Sequence, residues 1–142
     1  MLSVNALPLS PQHTICRTGD DLQHMVNFLR ANPSKAVDAE TTGLRCADGD
    51  RTIGLTLGAF ASDGVPYVWY APHRHLTHEA QLSPETVYRA AADALDPEVT
   101  REVIGHNLKF DINMLRADGL LLDPAIELHD SMIGAHLVNE DR

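Results

Sequence analysis

Apolar and polar residues follow two rhythms along this chain, one of about 3.6 residues and one of two. Residues 1–12 hold Pro8 and Pro11 with little periodicity and read as a loose lead-in. Thr14-Ile15-Cys16 predicts a short edge strand. After Thr18-Gly-Asp-Asp21, the residues Leu22, Met25, Val26, Phe28 and Leu29 recur at helical spacing, and Asn32-Pro33 stops that helix. Ala36-Val37-Asp38-Ala39-Glu40 reads as a strand with Val37 and Ala39 facing away from the acids, and Thr41-Thr42-Gly43 turns the chain. Thr52–Phe60 reads as a strand, Ser62-Asp63-Gly64 as a turn and Val65–Tyr70 as the return strand of an antiparallel hairpin beside the Asp38 strand. Ala71–His75 is expected to be a loop.

The second half is mostly helical in rhythm. Ser83-Pro84-Glu85 opens a helix with an N-cap serine and a first-turn proline, and Asp96-Pro97 ends it. Val87, Ala90, Ala91, Ala94 and Leu95 line one of its faces. Glu102–Gly105 is a brief strand. Asn107–Arg116 follows as a helix closed by Asp118-Gly119, residues 120–128 are a connection, and Asp130 starts a last apolar helix reaching Val138. This order predicts an α/β domain in which a mixed sheet, a hairpin plus parallel strands, is flanked by helices.

Composition narrows the class. The chain has 142 residues, 44% apolar and 22% charged, enough for one domain with a core. No apolar run approaches the roughly 20 residues of a membrane span, and the N-terminus does not read as a signal peptide. Cys16 and Cys46 form no CxxC pair and fit free thiols in a reducing cytoplasm. The net charge of −9 argues against a wide basic groove for nucleic acid.

Asp38 and Glu40 change that picture. Alternate residues of a strand share a face, so both carboxylates converge. Two carboxylates forced together repel unless a cation lies between them. Hard divalent cations take oxygen ligands and activate water against a phosphodiester. Asp111, in Gly105-His-Asn-Leu-Lys-Phe-Asp111, is a third candidate, sharing a helical face with Asn107 and Phe110. Asn107 can donate and accept hydrogen bonds, and Phe110 can stack on a base. His106 stands within reach of a phosphate. His73, Arg74, His75 and His78 read as a solvated loop, and Trp69 and Tyr70 as core.

Together these blocks resemble the four-carboxylate (DEDD) superfamily of 3′–5′ exonucleases, and within it the proofreading domain of family A DNA polymerases. Val37-Asp38-Ala-Glu40-Thr-Thr-Gly-Leu44 is similar to the first motif of that family, and Ile104–Asp111 with Met114-Leu115 and Gly119 to the second. Tyr67–His73 and His129–Asn139 resemble the intervening and following stretches. The resemblance implies a ribonuclease H-like fold, C-terminally incomplete because the family's third motif would fall beyond Arg142. It implies Asp38, Glu40 and Asp111 as metal ligands for two Mg²⁺ or Mn²⁺ ions. Thr41 and Leu44 would contact the 3′-terminal nucleotide, with His106, Asn107 and Phe110 also on the substrate. The implied partners are a single-stranded DNA 3′ end and a DNA polymerase or second chain supplying the missing motif, with no membrane. Asp130 reads as a helix N-cap, and His136 with Glu140 as a polar helix end. The competing expectation is a catalytically incomplete nucleic-acid-binding or protein-interaction module with the same fold.

Overall fold

The computed structural model describes residues 10–139. The elements in chain order are β1 (Gln12–Ile15), α1 (Gly19–Arg30), β2 (Ser34–Thr41), β3 (Thr52–Phe60), β4 (Pro66–Pro72), α2 (Pro84–Ala94), β5 (Glu102–Gly105), α3 (Leu108–Ala117), β6 (Glu127–Asp130) and α4 (Ser131–Val138). One mixed sheet has the order β1-β4-β3-β2-β5-β6. Its centre is the antiparallel run β2-β3-β4, and β1, β5 and β6 pair in parallel at its two sides. The expected mixed sheet of hairpin and parallel strands is the sheet observed.

The helices begin where side chains satisfy their first amides. Thr18 Oγ1 accepts from Asp21 N–H at 3.2 Å, and Asp21 accepts in return from Thr18 N–H at 2.8 Å, a closed capping box. Ser83 caps α2 from Thr86 N–H, with Pro84 at the first turn where no amide is needed. Leu22, Met25, Val26 and Leu29 of α1 and Val87, Ala91 and Ala94 of α2 are buried on one sheet face, against Val37, Leu55, Leu57, Trp69, Ala71 and Val103. Alternation sends Ala36, Asp38, Glu40, Thr56, Tyr70 and Ile15 to the opposite face. There Ala36, Asp38, Glu40 and Ile15 are exposed.

Two expectations are corrected. Residues 120–128 do not all form a connection, because Glu127–Asp130 adds a sixth strand beside β5. Its four residues are polar at alternate positions and mostly exposed, so an edge strand with little to bury leaves no apolar rhythm. The loop expected from Ala71 also starts late, since pairing with Gly54 and Leu55 carries β4 through Pro72.

Candidate active site

Glu40 and Asp38 stand at the C-terminal end of β2, which outruns its parallel neighbour: pairing with β5 stops at Ala36 opposite Ile104. Beyond that point the amides on this side of β2 need other partners. The chain leaves β5 through Gly105, where a side chain would press on Leu108 and the Val37 carbonyl. It then turns at Asn107 with φ of 59°, a left-handed conformation that asparagine tolerates. α3 starts at once and carries Asp111 back over β2, where its Oδ1 accepts from Ala39 N–H at 3.2 Å.

Asp111 is 2% exposed. Burial, followed by the charge of Asp38, pushes its carboxyl up to about 6; the Ala39 amide opposes this, and Asp130 and Glu40 add to it. The buried acid of the three is thus the helical one. Asp38 and Glu40 are exposed, and the acid deprived of water is Asp111. Asp111, buried and short of hydrogen-bond donors, feels the charges of Asp38 and Glu40, and three carboxylates are the donor type that suits a hard divalent cation.

Asp130 has the role expected of it and a second one. Its carboxylate accepts from Met132 N–H at 2.9 Å, capping α4, and from Asn107 and Leu108 N–H at 3.0 and 2.8 Å, capping α3. Burial would raise its carboxyl, but these amide bonds outweigh it and hold it low. Asn107 is thus the N-cap of α3 by position while its own side chain makes no capping bond.

The other candidates surround the acids loosely. Thr41 Oγ1 donates to Gly43 carbonyl at 2.8 Å, shaping the turn after Glu40. Leu44 in that loop is 80% exposed. Phe110 is half-buried, and His106 is exposed with its Nδ1 3.0 Å from Ser131 Oγ. His106 lines a cavity of about 510 Å³ with Met132, Ala135, His136, Val138 and Asn139. Glu140 lies outside the described residues.

The loop after β4 departs from its expectation. His73 is buried, and its Nε2 is 3.1 Å from Thr52 Oγ1. Thr52 also meets Tyr88 Oη and donates to Asp118 Oδ2 at 2.6 Å, while Arg74 pairs with Asp118 Oδ1 at 2.9 Å. This network ties the start of β3 to α2 and to the end of α3. Burial lowers His73 and keeps it neutral, as an interior imidazole requires. Trp69 is core as expected, but Tyr70 stands on the face of the acids and is only half-buried.

A further charged cluster went unread because β6 did. Glu102, Glu127 and His129 present ligand atoms all within 4.8 Å of one another. Strand register explains it, since Glu102 pairs with Glu127 and His129 lies opposite Ile104. His129 Nε2 is 3.2 Å from Glu102 and 3.6 Å from Glu127, and the Arg101 guanidinium also holds Glu102, so the opposed carboxylates meet partners within the chain itself. Among the described residues this is the one such trio; Asp38, Glu40 and Asp111 do not close to that distance.

Comparison with known proteins bears on the fold. No family model matches the sequence. A curated relative, DNA polymerase DpoZ of Acinetobacter phage SH-Ab 15497, is 32% identical over 108 residues, covering 76% of this chain and 15% of the polymerase. Among solved structures, Trypanosoma brucei RNase D superposes with a TM-score of 0.61 at 19% identity, covering 88% of this chain and 39% of that one. The EXO domain of Aedes aegypti Nibbler superposes with a TM-score of 0.58 at 16% identity, covering 97% and 62%. The chain thus spans less than two thirds of the length of each of these relatives. The fold is the ribonuclease H-like fold of the 3′–5′ exonucleases. By sequence the chain is similar to a phage DNA polymerase, over 15% of that polymerase's length.

Proposed function

We propose that this chain is a proofreading-type 3′–5′ exonuclease domain that removes terminal nucleotides from single-stranded DNA, as part of a DNA polymerase or in association with one. The observation that carries this reading is the delivery of Asp111 by α3 onto the strand end bearing Asp38 and Glu40. Asp38, Glu40 and Asp111 would hold Mg²⁺ or Mn²⁺, two ions in a complete site. Such ions supply an activated water and neutralise charge on the phosphate when bound. The exposed Leu44 offers an apolar surface to the terminal base, with Thr41 at its foot. Asn107 and Phe110 would meet the strand near its end, and His106 a phosphate. In the reaction water adds at phosphorus, the bond to the 3′-oxygen breaks, and that oxygen takes up a proton, giving a 5′-mononucleotide.

One observation favours the alternative of a non-catalytic module. Asp130, a further acid whose charge reaches Asp111, is committed to backbone amides and has little capacity left for a metal. The chain should be incubated with 5′-labelled single-stranded DNA, and separately RNA, in Mg²⁺ or Mn²⁺ beside an Asp38→Ala variant. The exonuclease reading expects stepwise shortening that the variant loses, and the ratio of the two substrates assigns the sugar. T. brucei RNase D has been solved with RNA U12, which makes the RNA arm necessary. Identical inert traces from both proteins would sink catalysis by this chain.

A further inference from the structure

Tyr70 belongs to the acid face of the sheet. The register runs Asp38 to Thr56 to Tyr70 across β2, β3 and β4, and one step along it runs Glu40 to Gly54 to Pro72. Tyr70 does not stand straight up from its own row. Its hydroxyl leans over Gly54, where any side chain would collide with it. Gly54 is the direct partner of Glu40, so the hydroxyl lies over the strand position next to Glu40, on the same face of the sheet. The Glu40 charge is felt there.

The hydroxyl is aimed by a second group. His75 Nε2 lies 2.5 Å from Tyr70 Oη, and the two rings meet edge to face with centroids 6.0 Å apart. His75 is itself fixed by a side-chain clamp: its amide donates to Gln81 Oε1 at 2.9 Å, and its carbonyl accepts from Gln81 Nε2 at 2.8 Å. A half-buried tyrosine held by a clamped histidine has one orientation, and that orientation overlooks Glu40. The basic side chains near Glu40 in sequence are engaged elsewhere. Lys35 is buried on the opposite face, Arg45 pairs with Asp48, and Arg51 donates to the Cys46 and Asp50 carbonyls.

A carboxylate that gives one oxygen to a cation is steadied by a donor to the other. We propose that Tyr70, oriented by His75, is a positioning residue for Glu40, its hydroxyl supplying the hydrogen bond that fixes this carboxylate as a ligand of a divalent cation. The assignment rests on the metal-site reading above. It takes the tautomer in which His75 Nε2–H donates to Tyr70 Oη, leaving the phenol proton for Glu40. Gly54 then has a reason beyond packing, since only glycine leaves room for the hydroxyl between the two strands.

Mn²⁺ titrations by calorimetry on the full chain test this without requiring turnover. Tyr70→Phe should weaken Mn²⁺ binding by about tenfold or more, the usual scale for a lost outer partner of a ligand, at an unchanged melting temperature. His75→Ala should do the same, and His75→Gln, whose amide can still donate, should recover most of the loss. In the Glu40→Gln background, Tyr70→Phe should add nothing. If Glu40→Gln weakens Mn²⁺ while Tyr70→Phe binds it like the wild type, the positioning role is overturned and the acid site stands. If the wild type takes up no Mn²⁺ at all, both fall. A lowered melting temperature with unaltered Mn²⁺ affinity in Tyr70→Phe would leave Tyr70 a packing residue only.

Discussion

Asp111 is a carboxylate held where ionisation is costly, and that cost has a pH signature. Its carboxyl lies at about 6 in the folded chain against an ordinary 3.8, because burial and the neighbouring Asp38 disfavour the charge. Between these two values the folded state holds a proton that the unfolded state has released. Stability must then fall as pH rises through that window, from this group alone. Below about pH 4 both states are protonated and the penalty vanishes; above about pH 6 it is fully present. Asp111→Asn removes the ionisation and keeps an oxygen for the Ala39 amide. In chelator, the variant should therefore melt higher than the wild type at pH 7.5 and close to it at pH 4. Thermal melts of both proteins across this range give the difference directly. A difference that does not vary with pH would show that Asp111 titrates normally.

At the scale of elements, the chain was legible wherever local chemistry decided the outcome. The strand expected over Thr52–Phe60 is β3 to the residue, the caps at Ser83 and Asp130 start their helices as read, and α1 starts within the Thr18–Asp21 run. The acids of β2 and the helix bearing Asp111 were readable from motif and period. What escaped has partners far along the chain. Thr52 finds His73 21 residues away and Asp118 66 residues away, so His73, read with its neighbours as a solvated loop, belongs to an interior network while His78 is exposed as read. Tyr70 follows a buried tryptophan, and only the one-sided burial of the sheet separates the two. Lys35 is the sharpest case. It stands just before the Ala36–Glu40 strand, and it is 1% exposed. Its ammonium donates to the Ala94 carbonyl at 2.5 Å, the Val99 carbonyl at 3.1 Å and Thr100 Oγ1 at 2.7 Å. These acceptors belong to the end of α2 and the segment leading into β5, so one side chain pins β2 to both. Lys35→Met keeps the bulk and strands the acceptors. At about 1–3 kcal/mol for a buried group left unsatisfied, with relaxation sharing the loss, the variant should be about 3 kcal/mol less stable. Urea unfolding measures this, and a loss below about 1 kcal/mol would mean the loop re-pairs by itself.

At the scale of the whole molecule, a net charge of −9 must coexist with a polyanionic substrate on the proposed reading. Six of the chain's eleven Lys and Arg side chains are committed within the fold. Arg17, Arg30, Arg45, Arg74 and Arg101 are each paired with a carboxylate of the chain, and Lys35 is interior. A strand end would then be held by divalent ions at three carboxylates and by the few neutral groups around them, Leu44, Asn107 and Phe110 among them. Binding of that kind releases few counterions. Single-stranded nucleic acid gives a slope of about −0.7 in log K against log salt for each phosphate neutralised by the protein. A site gripping one or two phosphates should show a slope of about −0.7 to −1.4, where a basic track of roughly eight contacts would show nearly −6. Fluorescence anisotropy with a 5′-labelled oligonucleotide, protected by phosphorothioate linkages at its 3′ end, measures the slope in KCl at fixed Mn²⁺. Removal of Mn²⁺ should lower affinity more than a doubling of KCl does, because the acids repel the strand once no cation stands between them. A slope steeper than about −4, or affinity that survives chelation, would place the grip on cationic side chains and away from Asp38, Glu40 and Asp111.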